Sequence, residues 1–141
     1  MDHAKVVAGY CTDSEEMTPT MCMAIAIAIE ARGEPVSGMG AVADVIMTRV
    51  ADPRYPDTVC GVVLDPGEFP WNANGLPSAT VGGEHWQMIQ DLAADAIASE
   101  RRWIVATHYH TTSVCPYWAA HYTEVASVGR HVFYYNQTKW R

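Results

Sequence analysis

Residues 21 to 35 read Met-Cys-Met-Ala-Ile-Ala-Ile-Ala-Ile-Glu-Ala-Arg-Gly-Glu-Pro, and the apolar run among them ends at a carboxylate, Glu30. Thr18 and Pro19 precede the run and are typical of a helix N-cap and a first helical position, whereas Gly33 is typical of a helix end. Apolar residues lie on every side of this helix, which predicts that most of it is buried.

Glu30 lies at the C-terminal end of this helix, which we expect to run from Pro19 to about Arg32. Burial and the negative end of the helix dipole both favour the protonated form of a carboxyl group. A carboxyl group that carries a proton near neutral pH is suited to general acid catalysis. The alternative is a surface glutamate that closes a core helix and pairs with Arg32, and spacing alone favours this alternative.

The composition is that of an ordinary globular protein with an acidic surface. The chain has 141 residues, a hydrophobic content of 49% and a net charge of -7. Its length predicts one domain with its own core, over residues 18–141, after a loose lead-in over residues 1–17. The negative charge argues against nucleic acid as a partner, and the apolar run from Met21 to Ile29 is too short for membrane insertion.

The N-terminus and the cysteines bear on the compartment in which the protein works. Met1 to Lys5 are polar and no apolar segment of a secretion signal follows, so we expect no signal peptide. The cysteines form no CxxC pair, which argues against a zinc ribbon. Without a secretion signal, reduced thiols are the default expectation, and one disulfide is possible if the protein reaches an oxidising compartment. Their sequence positions do not choose among the three complete pairings. They are Cys11, Cys22, Cys60 and Cys115.

The rest of the chain reads as helices followed by strands, which predicts an α+β fold with a helical lobe and then a small antiparallel sheet. Hydrophobic spacing and capping residues give the remaining helices, and β-branched or aromatic runs give the strands. The predicted elements are helices over Gly38–Val50 (capped by Ser37), Val59–Leu64 (capped by Thr58) and Gly83–Glu100, and strands over Ile104–His110, Val125–Val128 and His131–Tyr135.

Histidines two residues apart on a predicted strand form one candidate site. His108 and His110 would point to the same side of the sheet and, with His121 or His131 as a third ligand, could bind zinc. No HExxH motif or carboxylate partner stands nearby, so the sequence favours a protein without a metal or other cofactor.

Aromatic residues in or beside loops form a second candidate site. Aromatic faces stack on sugar rings as they do on other flat apolar surfaces, and residues 65–77 form a long loop of the kind that often carries function. The alternative is core packing, which we expect for about half of them. They are Phe69, Trp71, Tyr109, Tyr117 and Trp118.

Several motifs, in order, resemble those of the spore cortex-lytic, SleB-like family of cell wall hydrolases. Residues 30–35 match the family's Glu-Ala-Arg-Gly-Glu-Pro segment, and a later helix ends in a segment similar to its Asn-Arg-Val, with Thr48 in place of asparagine. Residues 66–71 resemble its Gln-Phe-Ser-Trp loop, with Glu68 and Pro70 as departures. Further similar segments are 55–63, 106–110, 116–119 and 129–134, so the resemblance spans about 21–135.

The resemblance implies a loosely lysozyme-like fold and an enzyme that cleaves the bond between N-acetylmuramic acid (MurNAc) and N-acetylglucosamine (GlcNAc) in peptidoglycan. The implied reaction is that of a lytic transglycosylase, which leaves 1,6-anhydro-MurNAc ends, with Glu30 as the single general acid and base and no cofactor. Glu34 and Glu68 are possible helpers. The implied substrate contacts are Phe69, Trp71, His108, Tyr109, Trp118 and Glu34.

The resemblance together with the expected lack of a signal peptide indicates a phage-type endolysin. Such a monomeric enzyme would stay in the host cytoplasm until lysis and then reach the periplasm and cell wall. Two alternatives stay open at this point. One is a zinc-dependent peptidoglycan amidase or peptidase that uses His108, His110 and His131, and the other is a non-catalytic glycan-binding virion domain.

Overall fold

A computed structural model describes residues 18–77 and 82–141, and the predicted lead-in over residues 1–17 lies outside them. The described part has helices first and a three-stranded antiparallel sheet last, which confirms the predicted α+β layout. The helices are α1 (Pro19–Glu30), α2 (Val36–Val50), α3 (Val59–Val63) and α4 (Gly83–Ala98), and the strands are β1 (His108–Thr111), β2 (Thr123–Val128) and β3 (His131–Tyr135). Short 3-10 helices cover Pro70–Asn72 and Tyr117–Ala120.

Helix α1 is the centre of the helical lobe. Thr18 caps it by accepting the Met21 N–H at 3.2 Å, and the chain leaves it through Gly33, whose φ of +77° suits glycine. Residues 22–28 are buried and pack against α2, α3 and α4, which confirms the predicted burial. The helix ends at Glu30, two residues before the predicted end, so this side chain lies where the core meets the surface.

Helix α2 begins earlier than the sequence predicted. Pro35, and not Ser37, is the N-cap, and its carbonyl accepts the N–H of Met39 at 3.1 Å. Proline suits this position because its fixed φ fits the extended conformation of an N-cap and no N–H is required there. The prediction of a serine cap was therefore wrong by two residues.

A disulfide between Cys22 and Cys60 joins α1 to α3. The default expectation of reduced thiols is thus wrong for these two residues, and the disulfide that the sequence left open joins Cys22 to Cys60. Cys115 is free and exposed, and Cys11 lies outside the described residues. Thr58 caps α3 by accepting the Gly61 N–H at 3.0 Å, as predicted.

The sheet has the order β1-β3-β2, with Gly129 and Arg130 forming the turn of the predicted β2–β3 hairpin. Strand β1 starts at His108 and not at Ile104. The reason is that side chains of α2 bind the backbone of the preceding segment. The Asp44 carboxylate accepts the N–H groups of Trp103 and Ile104 at 3.0 Å each, and Arg49 binds the carbonyl of Thr107.

The sheet packs on α2 through a second, smaller core. Phe133 is fully buried there against Ala41, Val45 and Ala106. Tyr109 contacts both Phe133 and His131, so these side chains lie on the face of the sheet that meets the helical lobe. In the described residues, each helix is too short or too polar to cross a membrane.

Candidate active site

The candidate active site is a cleft of about 660 Å³ at the C-terminal end of α1. One wall is the loop after α3, and the other is the start of β1 with the 3-10 helix Tyr117–Ala120. Its volume is typical of ligand-binding clefts. The lining residues are Glu30, Arg49, residues 66–70, His108, Tyr109, Tyr117, Trp118, Tyr122 and Arg141.

Glu30 is half-buried in this cleft and is held through both of its carboxyl oxygens. Nε1 of Trp71 donates to Oε2 at 2.8 Å, and the hydroxyl of Tyr109 donates to Oε1. An indole N–H can only donate, whereas a phenol can donate or accept. The Tyr109 contact can therefore persist whether Oε1 of Glu30 carries a proton or not.

Tyr109 keeps its own proton in this arrangement. Burial raises the pKa of Tyr109 well above its ordinary value, and the negative charge of Glu30 and their hydrogen bond act in the same direction. The phenol therefore stays neutral across the physiological range and is a dependable donor to Glu30. The structure brings these two predicted site residues together.

Trp71 reaches Glu30 because the loop that carries it is fixed by hydrogen bonds from its neighbour Asn72. Asn72 is buried and donates through Nδ2 to the carbonyls of Val63 at 3.0 Å and Asp65 at 2.9 Å. Phe69 stacks on Trp71 with ring centroids 5.0 Å apart and is only 5% exposed. Phe69 therefore supports Trp71 at the edge of the cleft, and Trp71 orients Glu30.

The opposite wall of the cleft is aromatic. The ring of His108 lies 5.1 Å from Trp118 and 4.8 Å from Tyr122, while Tyr117 is exposed beside them. The pKa of His108 is lowered to about 4, mainly by burial and to a smaller extent by the positive charge of Arg49. His108 is thus uncharged at neutral pH, and this wall presents flat, neutral surfaces of the kind on which sugar rings stack.

Glu68 is a second carboxylate in the cleft, and it is already paired. Nη2 of Arg141 lies 2.6 Å from its Oε1, and Nη1 of Arg49 lies 3.8 Å from its Oε2. Arg141 also binds Asp65, and Arg49 donates twice to the carbonyl of Thr107. The negative charge of Glu68 is therefore balanced by two guanidinium groups.

Glu34, predicted as a substrate contact, lies away from the cleft. Its side chain is only 4% exposed, accepts the backbone N–H of Arg130 at 2.9 Å and lies 3.0 Å from Nδ1 of His131. The hydrogen bond from the Arg130 backbone lowers the pKa of Glu34, and the charges of His131 and Arg130 act the same way. A side chain at Gly129 would meet the Glu34 carboxylate at 3.0 Å, so Glu34 fixes the β2–β3 turn.

The three histidines of the zinc alternative do not converge. His108 and His110 lie on one face of β1, where both contact Trp118. His131 lies on the opposite face, against Tyr109 and Glu34. Over residues 18–77 and 82–141, no group of three or more His, Cys, Asp or Glu side chains is arranged to hold a metal ion.

Sequence reasoning missed Arg49, Tyr122 and Arg141 as residues of the cleft. Arg49 stands in one of the recognised motifs, so a signal existed for it. Tyr122 stacks on Trp118 with ring centroids 5.7 Å apart because a 3-10 helix precedes it, and this helix had no clear sequence signal. Arg141 reaches the cleft from the end of the described chain, a distance in sequence that local patterns do not bridge.

Comparison with known proteins agrees with this fold. The sequence pattern described as Cell Wall Hydrolase matches residues 33–134. The chain belongs to the cell wall hydrolase family. This confirms the family that the motifs indicated. Glu30 lies just before the matched range, so its role is argued from the cleft geometry.

Two relatives are spore cortex-lytic enzymes. The enzyme of Halalkalibacterium halodurans is 31% identical over 129 residues, which cover 91% of this chain and 36% of that protein. The enzyme of Oceanobacillus iheyensis is 30% identical over 116 residues, which cover 79% of this chain and 39% of that protein. The chain thus spans well under half the length of these relatives.

Two solved structures are similar over most of their length. The catalytic domain of the germination-specific lytic transglycosylase SleB from Bacillus anthracis superposes with a TM-score of 0.66 at 27% identity, covering 84% of this chain and 95% of that one. The catalytic domain of the Bacillus cereus SleB protein gives a TM-score of 0.68 at 30% identity, covering 82% and 88%. The helical lobe with its small sheet is therefore the SleB catalytic fold.

Proposed function

We propose that this chain is a lytic transglycosylase that cleaves the MurNAc–GlcNAc bond of peptidoglycan glycan strands. The observation that carries the proposal is Glu30, held at the floor of an open cleft by Trp71 and Tyr109. Family membership and the likeness to SleB catalytic domains support peptidoglycan as the substrate.

In the first step, Glu30 in its protonated form gives its proton to the glycosidic oxygen. The bond between C1 of MurNAc and that oxygen then breaks, GlcNAc leaves with a hydroxyl group, and C1 passes through an oxocarbenium-like state. Trp71 and Tyr109 stabilise the carboxylate that Glu30 becomes, because both donate hydrogen bonds to its oxygens.

In the second step, the C6 hydroxyl of the same MurNAc attacks C1 and passes its proton to the Glu30 carboxylate. The new bond closes the 1,6-anhydro ring, Glu30 is protonated again, and no water is consumed. One carboxyl group is enough for this sequence of proton transfers. Glu68 is engaged by Arg141 and Arg49, which supports a reaction without a second carboxylate to activate water.

The cleft walls supply the positioning that such a reaction needs. The aromatic wall of His108, Trp118 and Tyr122 offers stacking surfaces for sugar rings. The protein carries a net charge of -7, so we propose that affinity for the anionic wall comes from these local contacts.

We further propose a monomeric endolysin of the phage type that neither binds nucleic acid nor inserts into membranes. It would remain in the host cytoplasm until lysis and act afterwards in the periplasm and cell wall. The Cys22–Cys60 disulfide supports action in an oxidising compartment. Cell fractionation of an infected or expressing culture before and after lysis would test this, and protein found in the periplasm before lysis would contradict it.

Digestion of purified peptidoglycan, with mass spectrometry of the products, tests the reaction. We expect 1,6-anhydro-MurNAc ends from the wild type, none from Glu30→Gln, and continued cleavage by Glu68→Gln, the matched carboxylate in the same cleft. Reducing MurNAc ends would contradict the transglycosylase. A folded wild type that binds peptidoglycan without cleaving it would favour the glycan-binding alternative.

A further inference from the structure

His108 is a neutral imidazole whose Nδ1 has a partner that fixes the tautomer. Nδ1 lies 2.9 Å from Oγ1 of Thr107, a fully buried hydroxyl that already accepts the N–H of Asn136 at 2.8 Å. A buried hydroxyl hydrogen requires an acceptor. Within the described residues, the acceptor that Thr107 reaches is Nδ1 of His108, so Thr107 donates and Nδ1 accepts.

The ring hydrogen of His108 is therefore on Nε2. A neutral imidazole carries one N–H, and a nitrogen that accepts cannot hold it. Among the described residues, the ring of His108 makes its hydrogen bond through Nδ1 and none through Nε2, and His108 lines the cleft. Burial keeps the ring uncharged at neutral pH, since it lowers the pKa of His108 to about 4. The cleft thus receives one neutral N–H donor.

This donor is held in a fixed position. The N–H of Thr107 donates to the carbonyl of Tyr134 at 2.8 Å. The carbonyl of Thr107 accepts two hydrogen bonds from Arg49, at 2.7 and 2.9 Å. The rings of Trp118 and Tyr122 pack on the imidazole, with centroids 5.1 Å and 4.8 Å away. A donor that is oriented in this way before the ligand arrives is what selective recognition requires.

An acetamido group matches this combination of chemistry. It joins a carbonyl, a strong neutral acceptor, to a methyl group that packs on aromatic faces. The ammonium of an N-deacetylated sugar would instead place N–H donors against the Nε2–H donor, where no hydrogen bond can form. It would also bring a positive charge near the positive charge of Arg49. We propose that His108 is a specificity-determining residue that donates Nε2–H to the acetamido carbonyl of an N-acetylhexosamine, with Trp118 and Tyr122 against its methyl group.

This inference rests on the proposed function for its substrate class, and cleavage of two matched glycans tests it. Peptidoglycan and its N-deacetylated form are digested by the wild type, His108→Phe and His108→Gln. We expect the wild type to prefer the acetylated glycan by about 10-fold or more in kcat/KM, because a site built to hydrogen-bond rejects an analogue without the acceptor. His108→Phe should lose this preference, and His108→Gln, which retains an N–H donor, should keep part of it.

An equal loss by His108→Phe on both glycans would overturn the proposal, because it would mean a purely structural role. A wild type that cleaves neither glycan would instead contradict the proposed function. In that case the same three proteins are compared by their binding of the two glycans, and equal binding by wild type and His108→Phe overturns the role of His108.

Nitrogen NMR of the imidazole ring tests the tautomer without any turnover. We expect the hydrogen on Nε2 in the wild type and in Thr107→Ser, which retains the hydroxyl. Thr107→Val should allow the hydrogen to move to Nδ1 and should reduce the preference for the acetylated glycan. A wild-type ring that carries its hydrogen on Nδ1 would overturn the inference directly.

Discussion

Glu30 and Glu34 belong to the same short segment and are the same residue type, yet the fold uses them in opposite ways. Glu30 closes α1 at the floor of an open cleft and is held by two side chains, Trp71 and Tyr109. Glu34 is buried against the β2–β3 turn and accepts the backbone N–H of Arg130. Partners and access, rather than residue type, therefore decide which carboxylate can do chemistry.

The partners also differ in charge. Glu34 lies beside Arg130 and His131, and positive charge there favours its carboxylate form. Glu30 contacts an indole and a phenol, which are neutral and leave room for a change of protonation. A general acid and base must change protonation in each cycle, so only the first of the two glutamates is suited to that role.

Exchange of each glutamate for glutamine separates the two roles most strongly. Glu30→Gln keeps the shape and the hydrogen bonds of the site but removes the transferable proton, so we expect a loss of about 10³-fold or more in peptidoglycan cleavage. Turbidity clearance of cell walls measures the rate, and thermal unfolding confirms the fold. Glu34→Gln is the matched control, and a larger loss of activity in this variant than in Glu30→Gln would reverse our assignment.

The helix that carries Glu30 is anchored by a disulfide, whereas Glu34 is anchored by hydrogen bonding to the β2–β3 turn. Cys22 and Cys60 are 38 residues apart and fasten the helix that ends in Glu30. Closing a loop of that length contributes about 2–4 kcal/mol to the free energy of unfolding. We expect Cys22→Ser to lose about this amount in denaturant unfolding. Cys115→Ser, at the free and exposed cysteine, should change little, and equal stability of both variants would mean that the disulfide does not form.

The side chains that hold Glu30 should matter for rate more than for stability. Trp71→Phe and Tyr109→Phe each remove one donor to its carboxyl group and keep the aromatic ring. A hydrogen bond to a charged group contributes about 1.5–3 kcal/mol, so we expect kcat/KM to fall about 10- to 100-fold. Wild-type rates in both variants would show that these donors do not support the reaction.

The contribution of Glu34 should appear as a pH dependence of stability. Its pKa is lowered in the folded protein from the ordinary value of 4.5. Stabilisation of this sign is fully present above the ordinary pKa and is lost as the pH falls through the folded pKa. The stability difference between wild type and Glu34→Gln should therefore be largest near neutral pH and should shrink in acid. A difference that is independent of pH would contradict the ionised anchor.

Local patterns in the sequence placed the helices and the hairpin to within about two residues at their ends. Thr18, Pro19 and Gly33 mark the ends of α1 because capping and turn preferences act within a few residues. Strand β1 was predicted too long because Asp44 and Arg49, far away in sequence, bind the backbone before His108. Competition of this kind depends on the tertiary fold, which no local pattern contains.

In the candidate site, too, local motifs predicted some residues, whereas the place of others depends on the tertiary fold. Glu30 was predicted because its motif is local and specific, and its catalytic role stays a prediction. The place of Glu34 was not predictable, since its partners Arg130 and His131 come from the hairpin at the other end of the chain. The disulfide likewise joins helices whose proximity follows from packing. Aromatic residues were found by type, but which of them face the cleft depends on the 3-10 helices.

In the proposed reaction Glu30 alone serves as acid and base, so that no water enters the product. Digestion of purified peptidoglycan in water labelled with heavy oxygen, followed by mass spectrometry, tests it most directly. We predict that the new MurNAc ends are anhydro rings without label, while a muralytic hydrolase run in parallel incorporates it. Labelled MurNAc ends from this protein would contradict this mechanism.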